Sequence, residues 1–353
     1  MNFASDNVDG VHEAIIEAIC RANAGAASPY GADDITRRVE RRFDEIFERR
    51  VRVFLVTTGT AANALCLSTL TPPYGAVFAH SHAHVMVDEC GAPEFYTGGA
   101  KMIGLEGAGG KITPNMVRDE IAGFIRAEHD PKPAAITITQ STELGSVYSC
   151  DEITAFGDLA RERGLKLHMD GARFANALVS LGCSPAQMSW KSGVDALSFG
   201  ITKNGAMGVD AVVFFDPELA RDFEYRRMRS GQLLSKGRFL AAQVEAYLEN
   251  DLWLENAAHA NRQARILAER LEKLAHISLA LPCEANAVFA FMPRSMFEKL
   301  QAGGANFHDW IASDTDVEPA GAGKVMVRLV TSFATSDQDV DRFLALAKTC
   351  EKF

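Results

Sequence analysis

Three short segments place reactive or charge-bearing side chains where an apolar run ends. In DALSFGITKNGAMG, Lys203 follows the apolar stretch Asp195–Phe199 and precedes the turn pair Asn204-Gly205. A lysine at the mouth of a buried strand is poorly solvated, so it loses affinity for its proton and offers an amine for imine formation. Upstream, HMDGARFANA puts Asp170 and Arg173 just after a second apolar run. A carboxylate there can pair with a pyridinium nitrogen and keep it protonated; it can equally cap a helix starting near Ala172. The planar fork of Arg173 suits a substrate carboxylate, although in isolation it reads as an ordinary surface arginine. In TTGTAANAL, Thr58-Gly59-Thr60 lies between a strand and a helix expected from near Ala61. Such a helix start offers N–H donors and a positive dipole end to a phosphate, or Thr60 simply serves as the N-cap. An imine-forming lysine, a pyridinium partner, a phosphate seat and a carboxylate-binding arginine are together the parts of a pyridoxal phosphate site.

A fourth segment, HSHAHVMVDE, contains His80, His82 and His84 at alternate positions. On one strand they would share a face, and three imidazoles on a face suggest a metal. Only His80 follows the apolar run closely, and no second ligand cluster accompanies it. The favoured reading is a flat His84 imidazole lying over a cofactor ring, with no metal.

These groups need elements to hold them. Short apolar runs at Val51–Val56, Ala76–Ala79, Ala134–Thr139, Leu165–Met169, Ala196–Phe199 and Ala211–Phe215 alternate with amphipathic stretches. Strands apolar at nearly every position and separated by helices indicate an α/β fold with a mostly parallel sheet covered on both faces. In such a sheet ligands bind beyond the carboxyl ends of the strands, where the candidate groups fall. Charged residues dominate afterwards, with helices expected at Pro217–Arg229, Lys236–Glu249 and Leu252–Ala275. The last of these is the natural domain boundary. Strands at Ser278–Leu281, Ala287–Phe291 and Lys324–Val330, with helices at Ser295–Gln301 and Gln338–Glu351, form an α+β tail. The division expected is an N-terminal arm over residues 1–30, a large cofactor-binding domain over 31–250 and a small domain over 251–353.

The bulk properties narrow the class. The chain has 353 residues, 47% hydrophobic and 23% charged, which is ordinary for a soluble globular protein. A formal net charge of -10 argues against nucleic acid as a partner. No apolar run approaches the roughly 20 residues needed to span a bilayer, so no membrane partner is expected. The N-terminal MNFASDNVDG is acidic where a signal peptide is basic. Seven cysteines, widely spaced and without a CxxC pair, read as reduced thiols in the cytoplasm.

Seven segments in this order resemble the threonine aldolase family of pyridoxal-phosphate enzymes, within the aspartate aminotransferase-like fold type I. FASDNVDG resembles its N-terminal Ser-Asp signature, SPYGADDITRRVE its Tyr-Gly segment, TTGTAANAL its phosphate loop and HVMVDECGAPEF its stacking-histidine segment. HMDGARFANA resembles its Asp/Arg motif, SFGITKNGAMG its Schiff-base lysine motif and VRLVTS its C-terminal arginine strand. The resemblance implies a seven-stranded sheet and a small C-terminal α+β domain. It implies that Lys203 holds the cofactor as an imine, Asp170 pairs with the ring nitrogen, Thr58, Gly59 and Thr60 hold the phosphate, and His84 stacks on the ring. Ser5, Arg173 and Arg328 would bind the substrate carboxylate. Tyr30 and a basic residue of YRRMRSGQ would reach a neighbouring subunit's site, which implies a homodimer or homotetramer with shared sites. Arg229 is the choice within that cluster; Arg226 and Arg227 read as a solvated helix face.

The implied reaction is retro-aldol cleavage of L-threonine, L-allo-threonine and related β-hydroxy-α-amino acids to glycine and an aldehyde. The arginines would fix the carboxylate while His84, or a water it holds, takes the β-hydroxyl proton. One departure stands out: many members have Glu-Asn-Thr-His where this chain has Gln140-Ser141-Thr142-Glu143. Glu143 therefore replaces the histidine held to touch the β-hydroxyl, which leaves threo-versus-allo selectivity and the proton-transfer group open. β-Elimination and racemisation on the same cofactor remain alternatives, as does a non-catalytic protein that keeps the fold for binding.

Overall fold

A computed structural model of the chain describes residues 1–310 and 323–350. The strands are β1 (Arg52–Val56), β2 (Gly75–His80), β3 (Lys101–Leu105), β4 (Lys132–Thr139), β5 (Lys166–Gly171), β6 (Ala196–Phe199) and β7 (Asp210–Phe214), followed by β8 (Ser278–Leu279), β9 (Ala287–Pro293), β10 (His308–Trp310) and β11 (Lys324–Val330). The first seven form one sheet in the order β1-β7-β6-β5-β4-β2-β3, and β7 alone runs antiparallel to its neighbours. Every residue of β2, β6 and β7 is buried, because helices cover both faces and an apolar side chain is favoured at each pleat position. Each large side chain so buried contributes about 1.5–3 kcal/mol.

Helix punctuation follows local chemistry. Cys150–Arg163 opens with a reciprocal capping box between Ser149 and Glu152, which satisfies two otherwise orphaned N–H groups. It ends at Gly164, whose φ of 66° is the left-handed conformation that glycine reaches without strain. The helix Gly59–Leu70 is apolar all round and buries seven consecutive residues from Ala62 to Ser68, because it lies against the centre of the sheet.

The second sheet, β10-β11-β9-β8, is antiparallel and has its own core with Phe3, Phe307 and Phe343 in edge-on aromatic contact. Phe3 belongs to the N-terminal arm. The arm pairs with this sheet through Phe3 N–H to Asn306 O at 2.7 Å and Val330 N–H to Phe3 O at 2.8 Å. It then crosses to the first sheet, where His12 N–H donates to Gly205 O at 2.9 Å.

All six strands expected in the large sheet are present. The seventh, β3, is an edge strand whose residues are at most half-buried, so KMIGL carries no continuous apolar signal. Three other expectations are corrected. The helix expected from Pro217 begins at Phe223, since residues 216–221 form overlapping four-residue turns instead. The helix after β1 begins at Gly59 rather than near Ala61. Its N-cap is Thr58, which accepts from Ala61 N–H at 3.1 Å, and not Thr60. The long helix ends at Leu271 rather than Ala275. The expected end of the final helix, Glu351, lies outside the described residues.

Candidate active site

Six strands run the same way and finish on the edge where β7 begins, because Val56 at the end of β1 faces Asp210 at the start of β7 and β7 alone is reversed. Two adjoining cavities open on this edge. The first, about 310 Å³, is lined by Thr58, Gly59, Thr60, His84, Asp170 and Lys203, among others. The second, about 580 Å³, is lined by Ser5, His82, Trp310 and Arg328. Their common wall contains Asn7, His84, Ser141, Glu143, Arg173 and Lys203.

Lys203 sits in a single tight turn, Thr202–Asn204, directly after β6. The turn is pinned on every side. Asp210 Oδ1 accepts from Ile201 and Thr202 N–H at 2.7 and 3.2 Å, and Asn204 Nδ2 donates to Tyr247 Oη and Trp253 O, both at 2.8 Å. Burial pushes the Lys203 pKa down, and the Arg173 charge pushes the same way. The effect is to raise the share of neutral amine. The turn approaches the Asp170–Arg173 segment closely at Gly200: a Cβ there would lie 2.4 Å from Ala172 O.

Asp170, the penultimate residue of β5, is buried; its Oδ1 accepts from Ala172 N–H at 3.0 Å and its Oδ2 from Asn63 Nδ2 at 2.8 Å. The helix beyond it starts at Phe174 and is not capped by this side chain. Asn63 uses the same nitrogen to reach Glu89 Oε1 at 2.8 Å, and Glu89 Oε1 also meets His84 Nδ1 at 2.8 Å. His84, Glu89, Asn63 and Asp170 thus form one continuous chain of hydrogen bonds. The bond to Glu89 raises the His84 pKa against the effect of burial, while burial raises that of Glu89. Below Asp170, His168 is locked between Thr137 and Ser198 hydroxyls and burial pushes its pKa down to about 4, so it is neutral packing. His80 ends β2, His82 lies in the following turn and His84 starts a short helix, so the three do not share a strand face. Among the described residues no group of three or more His, Cys, Asp or Glu is arranged to hold a metal.

Glu143 also lies in the common wall. Its Oε1 accepts from His84 N–H at 2.8 Å, and its buried Oε2 has no hydrogen-bond partner. Burial and the nearby Asp170 charge push its pKa up to about 7. Arg173 is no surface arginine: its Nε and Nη2 grip the buried Asp6 at 2.7 and 2.9 Å. Arg328, on β11, stacks 4.4 Å over the Trp310 ring and donates from Nη2 to Ala4 O at 3.4 Å.

Ten of the residues singled out in the sequence fall on these cavities: Ser5, Thr58, Gly59, Thr60, His84, Glu143, Asp170, Arg173, Lys203 and Arg328. Tyr30 and Arg229 do not; both are exposed and line neither cavity of their own chain. Arg227 is not a solvated helix residue, since it is half-buried, donates to Gln232 O at 3.3 Å and lines a depression with Tyr30. Asp6, Asn63 and Glu89 lie inside recognised motifs and Asp210 two residues beyond one, but the sequence alone assigned none of them a role.

Comparison with known proteins adds an independent line. The model of the beta-eliminating lyase family matches residues 2–294. A low specificity L-threonine aldolase of Pseudomonas aeruginosa is 46% identical over 325 residues, covering 90% of this chain and 94% of that protein. The solved threonine aldolase of Leishmania major superposes with a TM-score of 0.92 at 29% identity over 99% of both chains. A Sphingomonas wittichii serine palmitoyltransferase, at 14% identity and a TM-score of 0.69 over 99% of this chain and 86% of that one, shares the fold alone.

Proposed function

The chain belongs to the beta-eliminating lyase family, and from that premise we propose that it is a low-specificity L-threonine aldolase dependent on pyridoxal 5'-phosphate. The observation that carries the reading is the common position of Lys203, Asp170, His84 and Arg173 on one cavity at the carboxyl edge of the sheet. That cavity fits the cofactor. Its volume is within the range of about 300–1,000 Å³ usual for small-molecule sites. The helix Gly59–Leu70 leaves its first N–H groups without intrahelical partners, as a phosphate seat requires. Lys203 is the desolvated amine for the carbonyl and Asp170 the buried carboxylate for the ring nitrogen.

When bound, pyridoxal phosphate supplies an electron sink for the pair released as the Cα–Cβ bond breaks. The protein's own groups do the rest. Arg173 and Arg328 hold the substrate carboxylate and so orient the bond to be broken. His84 Nδ1 is tied to Glu89, which fixes the ring; its imidazole would lie over the cofactor when that is bound, and Nε2 is the atom to take the β-hydroxyl proton. Glu143 lines the same wall, with Oε1 on the His84 N–H, and is the residue this reading sets nearest the β-hydroxyl. Departure of the aldehyde leaves glycine as the second product, and Lys203 is the residue that would hold the cofactor between turnovers.

The exposed Tyr30 and Arg229 fit contribution to a neighbouring subunit's site, within a homodimer or homotetramer; the exposed Tyr225 and Met228 beside Arg229 suit such an interface. No helix among the described residues is long and apolar enough to cross a membrane, and the free thiols suit the cytoplasm. Residues 31–250 are taken as the cofactor domain and 251–353 as the small domain, with the arm over 1–30.

The test is direct. Purified protein with added cofactor should be yellow and release acetaldehyde and glycine from L-threonine and L-allo-threonine but not from their D isomers. Lys203→Ala should abolish both colour and cleavage. Pyruvate from serine or cysteine without acetaldehyde from threonine would replace this reading by β-elimination, and loss of optical activity without cleavage would replace it by racemisation.

A further inference from the structure

Arg173 and Arg328 reach the second cavity from different sheets, and the same short stretch of the N-terminal arm touches both. Arg173 follows β5 of the large sheet, and Arg328 lies on β11 of the small one. Ala4 O accepts from Arg328 Nη2, Asp6 accepts from Arg173 through both oxygens, and Ser5 and Asn7 line the cavity between. Asp6 is 4% exposed and also accepts from Asn286 Nδ2 at 3.1 Å. Asn286 precedes β9 and donates in turn to Thr331 O at 2.7 Å, directly after β11. One buried carboxylate therefore joins the arm, the large sheet and the small sheet.

A guanidinium has two edges that can each hold a carboxylate. Asp6 occupies the Nε–Nη2 edge of Arg173, and Nη1 has no partner among the described residues. Two roles are then distinguishable. As a stand-in, Asp6 would hold the place of the substrate carboxylate and leave when substrate arrives. As a fixed support, it would stay and present the Nη1 edge to the cavity. Displacement would strand a buried carboxylate without its cation, which is strongly unfavourable. Burial already opposes the charge on Asp6, and the Arg173 and Lys203 charges are what hold its pKa below the ordinary value.

We propose that Asp6 is a positioning residue of the substrate-carboxylate site: it holds Arg173 by one edge while the arm that carries it contacts Arg328, so that two guanidinium groups from separate sheets face one anion. This rests on the reading of the cleft as an amino-acid site. The arm is then a spacer that sets the distance between the two cations, and the site recognises a carboxylate only when the arm is docked.

Calorimetric titration of the holoenzyme with glycine and with glycinamide tests it, because glycinamide keeps the amine and lacks the carboxylate. Asp6→Asn retains the shape and removes the charge. It should weaken glycine by about tenfold or more, the usual scale for loss of a charge-assisted contact, while glycinamide changes by no more than about twofold. Unchanged or tighter glycine binding in Asp6→Asn would overturn the proposal, since it would make Asp6 a competitor or a bystander. Equal losses for both ligands would also overturn it, by showing a general structural effect. If Asp6→Asn does not fold by thermal melting, Asn286→Ala removes the third hold on Asp6, together with the Asn286 bond to Thr331 O, and leaves both Arg173 contacts in place. The same glycine-selective loss, smaller in size, is then expected, and its absence overturns the proposal. Wild-type holoenzyme that binds neither ligand would sink the amino-acid-site reading as well, whereas failure confined to the variants sinks this inference alone.

Discussion

Glu89 Oε1 lies 2.8 Å from His84 Nδ1, and the carboxylate is buried while the imidazole remains partly open to the cavity. The proton on that ring is therefore governed from behind, by a group that does not line either cavity. Glu89→Gln removes the charge that raises the His84 pKa. The limb of the pH–rate profile set by His84 should move to lower pH, and kcat should fall by about tenfold or more with a smaller change in KM. Steady-state cleavage of L-threonine from pH 5 to 9 reads both.

Glu143 makes a prediction about stability. Its pKa in the folded chain is raised from 4.5 to about 7, so between these values the folded state binds more protons than the unfolded one. Stability then falls as pH rises through that window, and the loss is complete above about 7. Glu143→Gln has no such titration. Its melting temperature should fall less between pH 5 and pH 8 than that of the wild type, and at pH 8 the variant should be the more stable. An equal fall in both proteins would show that the carboxyl does not titrate there. In catalysis the same variant should alter the ratio of L-threo to L-allo cleavage, measured with the separate isomers.

Gly200 makes a third. Its missing side chain lets the lysine turn close on the segment that carries Asp170 and Arg173, and the obstacle to a Cβ is the Ala172 backbone. Gly200→Ala must push two strand ends apart. A cost of about 1–3 kcal/mol is expected, the range typical of overpacking, seen as a lowered melting temperature. Cleavage should fall too, because Lys203 and Asp170 would shift relative to each other.

The strands and the lysine, aspartate and phosphate-loop motifs were legible because each couples a strong local pattern to a position: an apolar run, then a polar residue at its end. Lys203, Asp170 and Thr58 all have that form. β3 was not legible, because an edge strand buries little and leaves no continuous apolar run. Asp6 and Asn286 were missed for a different reason. They lie 280 residues apart in the chain, and nothing local in either stretch reveals that they share a hydrogen bond. Asp210 was missed because it begins a strand, whereas attention to α/β sheets falls on strand ends; the reversed direction of β7 brings its first residue to the binding edge.

That reversal has a consequence for how the reactive turn is mounted. β6 and β7 pair as a hairpin, Phe199 opposite Ala211 and Ser198 opposite Val212, and Lys203 sits in the connection between them. Closing this shorter connection costs somewhat less chain entropy than joining parallel neighbours through a crossover helix, by about 1 kcal/mol or less. The lysine turn is thus held from within the hairpin by Asp210 and from outside it by Tyr247 and Trp253, all against the large sheet. The arginines of the proposed carboxylate site, by contrast, come one from each sheet.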